Sequence, residues 1–141
     1  MRSWLAMIVA GLAVLSFSSA RAGCLSYTKP VELTGTISER VDPGPPGYGE
    51  DPKHDAKEPH LYLALDKPAC VDGTPSDDLN VSERNQLQMQ MLYMPNKHPF
   101  NEAWRGKHAA VTGKLFHGST GHHWTSILID VTDTRVITAA P

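Results

Sequence analysis

The chain has 141 residues, 40% of them hydrophobic, which suits one domain with a modest core. Its 13 Lys and Arg side chains against 15 Asp and Glu give a formal net charge of −2 with histidine neutral. Binding to the phosphate backbone of a nucleic acid depends on an excess of cationic side chains, so the composition argues against a nucleic-acid partner.

Residues 1–22 have the layout of a cleaved secretory signal peptide. Arg2 gives a basic start, residues 4–17 form an apolar run, and Ala20-Arg21-Ala22 supplies small residues at a cleavage site. The run is shorter than the about 20 apolar residues of a membrane span, and no second candidate span follows it. Lipidation at Cys24 is an alternative, but Arg21 stands where a lipidation signal has a small or aliphatic residue.

We therefore expect a periplasmic or secreted protein that has no membrane segment once the leader is cleaved. Loss of Arg2 and Arg21 would leave 11 cationic against 15 anionic side chains, a formal charge of −4. A single domain is expected over residues 23–134, followed by a C-terminal tail over 135–141.

Cys24 and Cys70 are the two cysteines of the chain. In an oxidising compartment an isolated pair usually forms a disulfide, which here would tie the start of the exported chain to the middle of the domain. A redox-active pair is the alternative, but the spacing is not Cys-x-x-Cys.

Alternating apolar and polar residues predict five strands, and the chain between them is rich in turn formers. The strands are expected at 31–37, 60–66, 86–92, 109–116 and 125–131. Two long irregular loops, 42–59 and 72–85, separate the first three, because proline and glycine exclude regular structure there. One short helix is expected near 99–106.

The fold expected from these elements is all-β: a small five-stranded OB-like barrel with one short helix and long Pro/Gly-rich loops. Gly35 and Gly113 each follow a threonine inside a strand, which is typical of a bulge or bend where a sheet curls into a barrel. Met89, Met91 and Met94 are expected in the core because they alternate along one strand. An immunoglobulin-like sandwich is the alternative, but it normally has roughly seven strands.

The stretch LFHGSTGHHWT, residues 115–125, is the main candidate site. If residues 118–122 form the turn of a hairpin, His117 lies opposite His123 on the core side, and Leu115 lies opposite Thr125. A shorter turn would pair His117 with His122 instead. Two neighbouring imidazoles could bind Zn²⁺ or Cu²⁺, but a zinc site usually has three or four protein ligands.

A third metal ligand would have to come from elsewhere, such as His60, Glu50 or Asp51. The structural alternative is that the histidines hydrogen-bond to backbone groups left free by the loop, while Trp124 covers the end of the barrel. The candidate ligand-binding residues are Tyr48, His117, His122, His123 and Trp124, with His117 and His123 as the candidate metal ligands. Tyr48 is included because it lies in the proline-rich loop, and loops often carry binding residues.

Four segments carry a family resemblance: CLSYTKPVELTGTI, PGPPGYGE, LYLALDKPACV and VTGKLFHGSTGHHWTSILIDV. They resemble an uncharacterised family of exported bacterial proteins, known as domain of unknown function 4431, over Cys24 to Val131. The family name implies no activity. Some members carry further histidines where this chain has Ser119 and Trp124, and that departure weakens the metal interpretation.

The sequence shows no catalytic constellation, since Ser119 and Ser126 lack a nucleophile-elbow context and no phosphate-binding glycine loop is present. We therefore expect a non-enzymatic exported binding module for a small ligand or another exported protein, with no obligatory cofactor. One alternative is a Zn- or Cu-binding protein that uses the histidines of residues 117–123. Another is an inhibitor or immunity-type protein that binds an exported partner.

Overall fold

The computed structural model describes residues 23–138; the expected signal peptide and residues 139–141 lie outside this range. Six strands and one 3-10 turn follow each other along the chain. They are β1 (Leu25–Ser26), β2 (Val31–Pro43), β3 (Lys57–Asp72), β4 (Glu83–Tyr93), the turn Glu102–Trp104, β5 (His108–His117) and β6 (Ile127–Val136). No helix within the described range is long and apolar enough to cross a membrane.

Five of the strands close into a barrel in the order β2-β3-β4-β6-β5, and β5 pairs with β2 again. All of these pairings are antiparallel except β4 with β6, which is parallel. The short β1 adds to the edge of β3 in parallel. This confirms the expected all-β, OB-like barrel, and the expected short helix is a single 3-10 turn that begins after the Asn101 cap.

Several strands extend beyond their predicted ends, and the irregular loops are correspondingly shorter. Strands β2 and β3 continue as a two-stranded ribbon to the Pro43–Lys57 pair, so the true turn is 44–56. Strand β6 runs to Val136, two residues past the expected domain end at 134. Paired backbone overrides a local proline at a strand end, as at Pro43 and Pro59.

Gly35 and Gly113 lie where two paired strands approach each other closely. A Cβ on Gly35 would lie 2.1 Å from the carbonyl oxygen of Ala64, and one on Gly113 would lie 2.3 Å from that of Asp130. Gly113 also stands at a register shift between β5 and β6. The expected bend is confirmed there, and both positions require the absence of a side chain.

The core fills the barrel with alternate residues of each strand, among them Ile37, Leu63, Met89, Leu115 and Ile129. The methionine prediction holds for Met89 and Met91 but is wrong for Met94, which is 48% exposed. Leu87, two residues before Met89 on the same strand, is also exposed, at 65%. Met94 lies just past the end of β4, and Leu87 lies where the pairing of β3 with β4 shifts register.

Cys24 and Cys70 form the expected disulfide, with Cα atoms 4.8 Å apart. The bond fixes the chain just before β1 onto the end of β3. In the chain-entropy model a disulfide between residues 46 positions apart contributes about 4 kcal/mol to the free energy of unfolding.

Candidate functional site

The predicted site residues Tyr48 and His122 meet where the β2–β3 turn touches the loop 118–126. Their ring centroids lie 5.3 Å apart in an edge-to-face arrangement, and the Tyr48 hydroxyl is 3.3 Å from His122 Nε2. A Cβ on Gly121 would lie 2.9 Å from the Tyr48 ring, so the ring packs directly on that backbone. We call the contact of these two loops the loop junction.

Asp55 holds the β2–β3 turn in shape from within. Its carboxylate accepts hydrogen bonds from the backbone N–H groups of Gly47 and Gly49, both at 2.7 Å, and of Asp51 at 3.2 Å. Burial alone would raise the pKa of Asp55, but these backbone donors hold it below its ordinary value. Tyr48 takes a positive φ of 50° in this turn, which is uncommon for a residue with a side chain.

A polar network covers the outer face of the β2–β3 ribbon beside the loop junction. The buried Asp42 carboxylate accepts hydrogen bonds from the Tyr62 hydroxyl, from Arg40 Nε at 2.6 Å and from His60 Nδ1 at 3.2 Å. The Arg40 guanidinium lies 4.2 Å from the centre of the Tyr62 ring. Burial would raise the pKa of Asp42, but its bonds to Tyr62 and Arg40 lower it overall.

Glu58 joins this network to the loop junction. Its Oε2 atom lies 2.8 Å from His122 Nδ1 and 3.8 Å from His60 Nε2. A carboxylate oxygen accepts hydrogen bonds, so His122 donates to Glu58 from Nδ1, and in the tautomer that carries only this proton Nε2 accepts the Tyr48 hydroxyl. The side chains of this network thus bond mainly to each other and hold the β2–β3 turn to the loop 118–126. The contacts run from Arg40 through Asp42, His60, Glu58 and His122 to Tyr48.

The other two predicted histidines also have internal partners. His117 Nε2 lies 2.9 Å from Glu83 Oε1, and its Nδ1 lies 2.9 Å from the Gly118 carbonyl oxygen. His123 Nδ1 accepts hydrogen bonds from the backbone N–H groups of Ser119 and Thr120. Burial, and then the charge of nearby His122, lower the pKa of His123. His123 therefore stabilises the loop in its neutral form.

The predicted hairpin register is wrong. His117 lies opposite Ile127 and Leu115 opposite Ile129, so the loop runs over 118–126 and His123 belongs to the loop. The slip relative to the expected pairing is four residues, an even number, and the apolar faces of both strands are therefore kept. Within residues 23–138 no three His, Cys, Asp or Glu side chains are grouped to hold a metal ion.

Gln90 anchors the loop 118–126 and was not anticipated. Only 1% of it is exposed, although it lies on the outer side of β4. Its Oε1 accepts the Trp124 backbone N–H at 2.7 Å, and its Nε2 donates to the His122 carbonyl oxygen at 2.9 Å. Alternation along the strand placed Gln90 correctly away from the core, but nothing in the sequence showed that a loop would cover it.

A groove of about 750 Å³ opens elsewhere on the barrel. Its apolar lining includes three aromatic residues, and its polar lining includes charges of both signs. The lining residues are Tyr27, Thr28, Asp77, Asn80, Leu92, Tyr93, Met94, Lys114, Leu115, Phe116 and Asp130. Leu92 pairs with Asp130, and Asp130 pairs with Lys114, so these three form one row across β4, β6 and β5.

A second cavity, of about 610 Å³, lies beside the aromatic cluster of Tyr93, Phe100 and Trp104. The Phe100 ring packs edge-on against both neighbours, with centroids 5.2 Å from Tyr93 and 5.8 Å from Trp104. The cluster packs against the barrel core. None of the predicted site residues lines this cavity or the larger groove.

Comparison with known proteins gives one family match. No curated protein and no solved structure matches the chain significantly. The family model described as Domain of unknown function (DUF4431) matches residues 88–135, a range that includes the loop 118–126 and the part of the groove built by β4, β5 and β6. The match confirms the resemblance noted in the sequence for residues 88–131, and residues 24–87 lie outside the matched range.

Proposed function

We propose that the protein is an exported, non-enzymatic binding module whose groove takes a small ligand with an apolar body. The groove is the observation that supports this function most directly. Its volume of about 750 Å³ falls in the range of roughly 300–1,000 Å³ that small-molecule sites occupy. Such sites combine a mainly apolar lining with a few polar groups, and that is the composition of this groove.

The position of the apolar residues supports the proposal further. Leu92 and Phe116 lie on the outer side of their strands, and Met94 follows the end of β4. The neighbouring outer residues Gln90 and Leu128 are buried, but the groove leaves Met94 48% exposed. Together with the half-buried Leu92 and Phe116, Met94 forms an apolar patch that solvent can reach, and such patches often mark binding sites.

A rigid frame surrounds the groove. The barrel is closed, the disulfide fixes β1 on β3, and the loop that carries Asn80 is bonded to β5 through the His117 backbone N–H. A preformed site loses less conformational entropy on binding, so it can bind a small ligand without ordering a loop. The candidate polar side chains of the loop junction are bonded to each other. This arrangement suits a role in stabilising the fold better than a role in catalysis.

A neutral apolar fluorophore, N-phenyl-1-naphthylamine, tests the proposed function. We expect saturable binding of one molecule per protein, measured by the rise of probe fluorescence in a titration of the exported chain. Met94→Lys should abolish most of the signal because it places a charge in the groove. Leu87→Lys is the matched control, since Leu87 is at least as exposed as Met94 and lies nearby in sequence, on β4, but outside the groove. Equal binding by both variants would overturn the assignment of the site.

A further inference from the structure

We propose, building on the groove as the binding site, that it selects an apolar cation, such as an alkylammonium, over an anion with the same apolar body. Three charged residues line the groove: Asp77, Asp130 and Lys114. Two carboxylates against one ammonium leave an excess of one negative charge. The expected exported chain, at −4, adds a field of the same sign.

Asp77 is a fixed charge. Its Oδ1 atom accepts the backbone N–H groups of Leu79 and Asn80, and its Oδ2 atom accepts the Asn80 side-chain amide at 2.8 Å. The Asn80 side chain and then these backbone donors hold the pKa of Asp77 below its ordinary value. The carboxylate therefore stays ionised and in place on the groove wall.

Asp130 supplies the charge that a ligand can reach. It stands in the middle of the row across β4, β6 and β5, between Leu92 and Lys114. In the part of the chain that the structure describes, neither its carboxylate nor the Lys114 ammonium has an ion-pair partner within 4.0 Å. When the long Lys114 side chain turns toward Asp130, the Asp77 charge still remains unbalanced.

The aromatic lining also favours a cationic ligand. Tyr27, Tyr93 and Phe116 border the groove, and a cation that lies over the face of any of these rings would be attracted to it. The Tyr27 hydroxyl donates to the Val81 carbonyl oxygen at 2.6 Å, which fixes that ring. An anion would gain only from Lys114 and would meet two carboxylates.

Displacement of bound N-phenyl-1-naphthylamine by decyltrimethylammonium and by decyl sulfate tests the inference, each used below its micellar concentration at low salt. We expect the cation to displace the probe at an about fivefold lower concentration than the anion, as one unbalanced charge in a partly exposed groove would give. Asp130→Asn should bring this ratio close to one, and Lys114→Gln should increase it. Asp78→Asn, which removes a neighbouring charge outside the groove, should leave it nearly unchanged.

The outcomes separate the two proposals. Failure of the neutral probe to bind overturns the groove as the site and this inference with it. Binding of the neutral probe with equal or better displacement by decyl sulfate overturns only the preference for a cation. A preference that survives Asp130→Asn unchanged would also overturn it, because the charge that it rests on would then play no part.

Discussion

Tyr48 and His122 are 74 positions apart in sequence, and their rings lie edge to face with centroids 5.3 Å apart. Tyr48 stands in the turn that joins β2 to β3, His122 stands in the loop that joins β5 to β6, and Glu58 Oε2 lies 2.8 Å from His122 Nδ1. Both residues were predicted as ligand contacts. In the structure they hold one loop to the other, which is a structural role for this part of the histidine-rich stretch.

The loop junction should be measurable as a coupling energy. Tyr48→Ala and His122→Ala are each expected to destabilise the protein, and the double variant should lose less than the sum. Edge-to-face aromatic pairs give coupling of about 1 kcal/mol. Urea unfolding of the four proteins gives this value, with His54→Ala, an exposed histidine of the same turn, as the control. Strictly additive losses would show that the contact contributes nothing.

Gly113 should not tolerate a side chain. A Cβ there would lie 2.3 Å from the Asp130 carbonyl oxygen, so Gly113→Ala must push β5 and β6 apart. We expect a loss of about 1–3 kcal/mol in the free energy of unfolding, the usual cost of overpacking. Gly23→Ala is the matched control because no atom lies within 4 Å of its Cβ position. Equal stability of the two variants would argue against the close crossing of the strands.

Gln90→Leu should loosen the loop 118–126 while the barrel stays folded. The change leaves the Trp124 backbone N–H and the His122 carbonyl oxygen without their side-chain partner, and each lost bond of this kind costs about 1–3 kcal/mol. Hydrogen exchange should accelerate at residues 118–126 and stay slow in β2 and β5. Gln88→Leu, on the same strand but exposed, should leave exchange unchanged. Uniform acceleration over the whole chain would mean that Gln90 stabilises the barrel as such.

His123 should make the stability of the protein sensitive to acid. Its pKa is lowered from the ordinary 6.5 in the folded state, so the unfolded chain binds the proton more readily. Its contribution is therefore fully present above pH 6.5 and is lost as the pH falls through the lowered value. His123→Asn keeps an acceptor for the backbone donors without a titrating ring.

The measurement is the difference in the free energy of unfolding between pH 8 and pH 5, for the wild type and for His123→Asn. We expect the wild type to lose more stability on acidification than this variant. His98→Asn, an exposed histidine, should behave like the wild type. A larger loss in His123→Asn than in the wild type would show the opposite sign of linkage.

The barrel could be predicted because its determinants are local in sequence. Alternation identified the five strands, the Thr-Gly pairs identified the register shift at Gly113 and the close approach at Gly35, and the cysteine count identified the disulfide. These signals show which residues face inward and where a strand must bend. A few such positions are enough to predict that the sheet closes into a barrel.

The site could not be predicted in the same way because it depends on register and on contacts between distant loops. A hairpin loop can lengthen by an even number of residues without changing which faces are apolar, and this hid the true position of His123. Gln90 and Asp42 are buried by chain that arrives from elsewhere in the sequence. The groove is built from five separate segments, and no single one of them carries a recognisable motif.

Methionine methyl NMR tests the groove most directly. Of the five methionines, Met1 and Met7 lie in the expected signal peptide, which leaves Met89, Met91 and Met94 in the exported protein. Met89 and Met91 are buried in the core, and Met94 lines the groove. Titration with decyltrimethylammonium should shift the Met94 methyl signal in a saturable way and leave the other two in place. Shifts at Met89 and Met91 of the same size, or none at Met94, would contradict binding in the groove.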